Sequence, residues 1–163
     1  IGNLKNEIEK YIDENKPDII VLGKRKPKTV SFIGDNITSF ILKKHKGPIV
    51  IIDDKNELEP NKKLSLGLFN YSKTDDDFSE NIIRSTQSPL KAFNIANNSD
   101  SLNNKMFLKD TKNVEYIFSE GDNVLKNISN YLLKSNVNLL FVNRKKNIKD
   151  VINKLDCSLI LTT

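Results

Sequence analysis

Residues 4–26 are repeated at residues 124–146. Ile8 falls on Ile128, Tyr11 on Tyr131 and Ile12 on Leu132, and "DIIVLGKRK" lies on "NLLFVNRKK" without a gap. A chain carrying the same helix-then-strand unit twice is built from copies of one supersecondary unit, which limits the architectures open to it. Further on, "GPIVIID" at 47–53 matches "CSLILTT" at 157–163 with an offset of 110 instead of 120. The second copy is therefore ten residues shorter, and the loss falls between the basic loop and the last strand.

Helical spacing puts Leu4, Ile8, Tyr11 and Ile12 on one face, Ile37, Phe40 and Ile41 on another, and Val124, Leu125, Ile128, Leu132 and Leu133 on a third. Pro17 marks the end of the first helix, and Asp122 is placed to cap the helix before Val124. Between the copies, "LSLGLFN", "LKAFNIA" and "VEYIFSEG" read as strands and "DDDFSENIIRSTQ" as a helix. The asparagine-rich run 98–113 supports only a short helix, with Met106, Phe107 and Leu108 set to pin it to the sheet. Strands and helices alternating, with continuous apolar strands, mean an α/β fold: a parallel βαβ sheet covered by helices on both faces.

The expected organisation is one complete domain preceded by the C-terminal half of another. Residues 1–54 supply helix, strand, helix and strand of a first unit, 55–63 form a linker, and 64–163 form a complete but shortened second unit. The charged run "DDKNELEPNKK" with Pro60 suits an exposed connection. With Ile at position 1 and a polar amphipathic opening, the chain reads as an excised piece of a longer protein. Its strand "DIIVLG" is then expected to expose an apolar edge that the second unit or another chain must cover.

The 163 residues carry a net charge of +5 and a pI near 9.2, with positive clusters at Lys24–Lys28, Lys43–Lys46 and Arg144–Lys146. Acidic residues are interspersed, so solvated loops and helix ends account for these clusters and no nucleic-acid partner is expected. No apolar run approaches the eighteen or so residues of a membrane span, so neither membrane nor membrane partner is expected and the location is read as cytoplasmic. Cys157 is expected to be a buried small hydrophobe.

Catalytic candidates are few. His45 stands at a helix C-terminus, where the helix dipole favours it. With Cys157 it shows no metal-ligand spacing. Asp75, Asp76 and Asp77 read as acids at a helix N-terminus, with Mg²⁺ as the sharper alternative. No nucleophile has a paired base, so no enzyme is expected.

"PDIIVLGK", a loop, the helix "NITSFILKKHKG" and "PIVII" together resemble the C-terminal half of the universal stress protein family domain, and the whole chain resembles a tandem member. The resemblance implies an adenine-nucleotide alpha-hydrolase-like fold. It also implies ATP as the cofactor of the first domain, held by a loop of pattern Gly-x2-Gly-x9-Gly-Ser/Thr. Such glycines let backbone N–H groups approach phosphate at a helix N-terminus. Here Gly23 fits the first position, Lys26 replaces the second glycine, and Asn36-Ile37 stands where Gly-Ser/Thr is wanted, with Gly34 two positions early before Asp35. The nucleotide-binding candidates are thus Gly23, Lys24, Gly34, Asn36 and Thr38, aided by Arg25 and Lys28. The plainer reading gives Gly23 to a strand-end turn and Asp35 to an N-cap. The second copy has no glycine in "VNRKKNIKDVINKLDC", and Asn70 stands where the family has a strand-end aspartate. It is expected to bind no ATP.

The expected function is a non-catalytic stress-response protein with a degenerate nucleotide site, acting through association. An ATP sensor using the first loop is the alternative, and a nucleotide hydrolase on the same fold is the third reading. The family pairs last strands in dimers. By resemblance, Pro48–Asp53 and Ser158–Thr163 should lie antiparallel, with Ile51 near Leu161, within one chain or in a homodimer.

Overall fold

The computed structural model describes residues 3–24, 34–55, 58–59, 61, 63–69, 77–86, 89–95, 114–119, 123–144 and 148–162. In chain order its elements are α1 (Leu4–Asn15), β1 (Ile20–Gly23), α2 (Gly34–Lys44), β2 (Ile49–Ile52), β3 (Leu66–Phe69) and α3 (Asp77–Arg84). There follow β4 (Leu90–Ile95), β5 (Val114–Ser119), α4 (Val124–Lys134), β6 (Leu139–Asn143), α5 (Ile148–Lys154) and β7 (Ser158–Thr162). The run 98–113 and Asp122 lie outside the described residues.

Local chemistry sets the helix ends. The Asn3 side chain accepts from the Lys5 N–H at 3.0 Å and caps α1. Lys16 then turns into the left-handed region at φ 43°, its N–H bonded to the Ile12 carbonyl, and Pro17 prevents continuation. Asn123, the equivalent of Asn3 at the 120 offset, holds the N-cap position of α4 without a side-chain bond.

The seven strands among the described residues form one sheet in the order β1-β2-β7-β6-β3-β4-β5. Every neighbouring pair is parallel except β2 and β7, which pair antiparallel through Ile49↔Leu161, Val50↔Ile160 and Ile51↔Leu159. The antiparallel neighbours expected within one chain are present. The register differs from the one expected: Ile51 faces Leu159, and Leu161 faces Ile49.

The two halves carry the same register. Ile20↔Ile49 on β1-β2 becomes Leu140↔Leu159 on β6-β7 when 120 and 110 are added to the respective strands. Val50 pairs with Ile160, its own equivalent at offset 110, so a local pseudo-twofold axis passes between them.

Alternation along the strands divides the core between two faces. Ile49, Ile51, Leu140, Val142, Leu159 and Leu161 point to the side of α1, α2, α4 and α5. Leu66, Leu68, Leu139, Phe141 and Ile160 point to the side of α3, where Phe78, Ile82 and Ile83 meet them. Burying each of these apolar side chains is worth about 2 kcal/mol, which is why β6 and β7 read as unbroken apolar runs. Gly67 lies inside β3 because a Cβ there would stand 2.8 Å from Leu140 Cδ1 and 2.9 Å from Phe93 Cε2.

Candidate functional site

At the carboxyl rim of β1 and β2 the candidate loop begins. Gly23 closes β1 opposite Ile52, and a Cβ added to it would meet nothing within 4 Å. Close packing among the described residues therefore does not require this glycine. Gly34 opens α2, and Thr38 lies half-buried in its second turn. Arg25, Lys26 and Lys28 lie outside the described residues, as do Asn70, Asp75 and Asp76. Asn36 is within α2. Asp77 is the exposed first residue of α3.

Lys24 is turned across the sheet. Its N–H donates to the Ile52 carbonyl at 2.7 Å, and its Nζ stands 3.2 Å from the Asp53 carboxylate and 4.0 Å from that of Asp156. The same ammonium donates to the Leu155 carbonyl, just past the last turn of α5. Asp53 is only 1% exposed, donates its N–H to Ser158 Oγ at 3.0 Å, and accepts from the Lys55 N–H at 2.9 Å. The charged run from 53 was read as exposed. Its first residue is instead buried, because the seam with β7 supplies it with partners.

The opposite rim carries the counterpart. Arg144 follows β6 as Lys24 follows β1, and its N–H donates to the Thr162 carbonyl at 2.7 Å, the equivalent of Lys24 on Ile52. Its Nη1 donates to the His45 carbonyl at 2.7 Å, and its Nη2 donates to the Gly47 carbonyl. His45 stands one residue past α2 and corresponds to Leu155 past α5 at offset 110. Each half thus sends a strand-end cation onto the carboxyl terminus of the other half's helix, where the dipole is negative.

His45 is 6% exposed, and among the described residues its Nε2 has no hydrogen-bond partner. Burial, and then the Arg144 guanidinium, hold its pKa below the ordinary histidine value. The reading of a dipole-favoured histidine is corrected on this point, since both causes oppose the charged form. Gly47 beside it needs the absence of a side chain: a Cβ there would lie 2.5 Å from the Asp18 carbonyl oxygen and 2.7 Å from His45 Nε2.

Because the folded-state pKa of His45 is depressed below 6.5, its contribution to stability is present above that pH and is lost as pH falls below it. Urea unfolding at pH 7.5 and pH 5 is expected to show a loss at pH 5 that His45→Gln reduces. An identical pH dependence in the variant would refute this.

Cys157 is buried as expected, and burial pushes its thiol up to about 12. A cleft of about 370 Å³ lies at the Arg144 rim, lined in part by Asp18, Gly47, Phe78 and Thr162. Among the described residues no cluster of histidine, cysteine and carboxylates could hold a metal, and no helix is long and apolar enough to cross a membrane.

Sequence reasoning missed Asp53, Ser158 and Arg144 as partners in this arrangement. The repeat offsets, applied to Lys24 and to the residues after α2 and α5, carried the signal.

The α/β fold, a mostly parallel seven-stranded sheet with helices on both faces, is one shared with a universal stress protein of known structure. The chain is similar to a universal stress protein from Archaeoglobus fulgidus, with a TM-score of 0.70 and 14% identity over 98% of this chain. It spans 64% of that protein, so less than two thirds of its length. It is also similar to a functionally unknown protein from Pseudomonas aeruginosa PAO1, with a TM-score of 0.63 and 9% identity over 99% of this chain and 68% of that one. The likeness is one of fold. No known family profile and no curated protein matches the sequence.

Proposed function

We propose that this chain is a universal stress protein-like, non-catalytic stress-response protein of the cytoplasm that acts through association of its repeated units and carries a degenerate nucleotide site. The placement of Lys24 carries the reading. The first cation after Gly23 is given to Asp53 and the Leu155 carbonyl, so it supports the seam between the halves rather than standing ready for phosphate. The tandem arrangement is supported by the shared register of β1-β2 and β6-β7. Association through last strands, within the chain or in a homodimer, is supported by the β2-β7 pairing.

Calorimetry with ATP and Mg²⁺ at up to about 1 mM is expected to give no saturable heat, since that range covers the affinities useful to a sensor. A stoichiometric isotherm abolished by Asn36→Asp would instead establish the sensor reading. Phosphate release above background would establish the hydrolase.

A further inference from the structure

Between the carboxyl ends of α1 and α2 lies a pocket of about 280 Å³, lined by Lys16, Lys44, His45 and Lys46 among others. It sits on the rim from which β1 and β2 start, so Gly23 and Lys24 stand at the far end of β1. The corresponding place in the second half is filled. Pro17 and Gly47 become Val137 and Cys157 there, and His45 becomes Leu155; all three replacements belong to the buried core, at 6%, 0% and 0% exposure. They lie within the repeated unit itself, so these substitutions are what separates the two halves here.

The substitutions also change the charge. Where the second half has Asn136, Lys154 and Asp156, the first has Lys16, Lys44 and Lys46. Lys44 is already engaged, since its Nζ lies 2.9 Å from the Glu9 carboxylate and 3.1 Å from that of Asp13. Lys16 and Lys46 are exposed, and neither side chain has a partner among the described residues. The carboxyl end of α2 does not need them, because Arg144 already donates to the His45 and Gly47 carbonyls. Lys16 also stands at φ 43°, a conformation better suited to the asparagine found at the equivalent position with φ 53°.

His45 supplies an independent observation. It forms part of the pocket wall, is 6% exposed, and carries an Nε2 without a hydrogen-bond partner among the described residues. A buried polar ring with an unmet nitrogen is costly where leucine serves in the other half. The charged groups around it are Arg144 from the end of β6, Asp18 before β1, Lys44 and Lys46 at the end of α2, and Asp13 and Lys16 from α1.

We propose that this pocket binds a small tetrahedral oxyanion of the phosphate type, held by Lys16 and Lys46, and that His45 in its wall takes up a proton as the anion binds. Burial and then the Arg144 guanidinium hold the ring neutral, and a negative charge at the two lysines offsets the second of these. Anion and proton therefore bind together, each tightening the other by the same factor. The site is independent of the nucleotide reading, because the pocket and the Gly23 loop lie at opposite ends of β1.

His45 is the single histidine of the chain, so one imidazole proton resonance follows its titration in the intact protein. The probe is sulfate, doubly charged throughout the titration, at about 20 mM, enough to fill a site of millimolar affinity. Against chloride of equal ionic strength, the His45 pKa is expected to rise by about 0.5 or more, equivalent to about threefold tighter binding of the anion to the protonated form. Lys16→Asn with Lys46→Asp, which installs the second half's residues at exposed sites, should erase the rise. Lys46→Gln alone should at least halve it. A rise that chloride reproduces, one that survives in both variants, or none at all overturns the proposal. At pH 7.5, inorganic phosphate and glycerol phosphate should each saturate a shift of the Gly47 amide resonance, and whichever does so at the lower concentration tells a free ion from an ester. Failure of both to saturate also overturns it.

Discussion

Phe141→Ala is expected to lower unfolding free energy by about 3–5 kcal/mol, and Val21→Ala, at the equivalent place in the other half, by less than about 1 kcal/mol. Both residues are the middle of an apolar strand followed by a basic loop. Phe141 is fully enclosed between β3, β7 and the α3 side, so truncation leaves a cavity whose lining cannot close. Val21 is 63% exposed, so its truncation removes little from water that was ever buried. Urea titrations of the two variants in the same buffer check the contrast. Equal losses would mean that the β1 edge is covered in solution by something the chain itself supplies.

Lys24→Met should cost about 3 kcal/mol, because it leaves the Asp53 carboxylate buried without its facing cation and removes a donor from the Leu155 carbonyl. Lys24→Met combined with Asp53→Asn should recover part of that loss, since the buried carboxylate charge is then gone. Thermal or urea unfolding of the two single variants and the double variant gives the coupling directly. A single-variant loss below about 1 kcal/mol would show the pair to be hydrated, and with it the seam to be held by strand pairing alone. Strand-end Lys24 and Arg144 do the same structural work on opposite rims, but among the described residues Arg144 is bonded to the His45 and Gly47 carbonyls rather than to a carboxylate.

Much of the fold was legible because its central strands β3, β6 and β7 are buried on both faces. Runs such as "LLFV" and "LILT" announce themselves as interior strands, and the repeat of "DIIVLG" at "NLLFVN" placed β1 and β6 in equivalent positions. The antiparallel seam was also accessible, although its register was off by two residues, a shift that keeps every side chain on its face and so is not decided by apolar alternation. The candidate site was less legible. Gly23 and Lys24 were named for what a phosphate would ask of them, whereas Lys24 answers to Asp53 and Leu155, more than a hundred residues away along the chain for the latter. No local pattern signals such partners, since a lysine after a strand looks the same whether it faces solvent or a buried carboxylate. His45 was misjudged for a similar reason: its neighbours in sequence are lysines, but its environment is set by Arg144 and Gly47.

The antiparallel seam also fixes the directions in which the molecule can be addressed. β1 and β2 end at the Asp53 rim, while β6 and β7 end at the Thr162 rim. The carboxyl ends of these strands in the two halves therefore face opposite rims of one continuous sheet. A molecule received at one side cannot share a mouth with anything received at the other, and any communication between them must run through the strands of the seam, with Val50 and Ile160 at its midpoint.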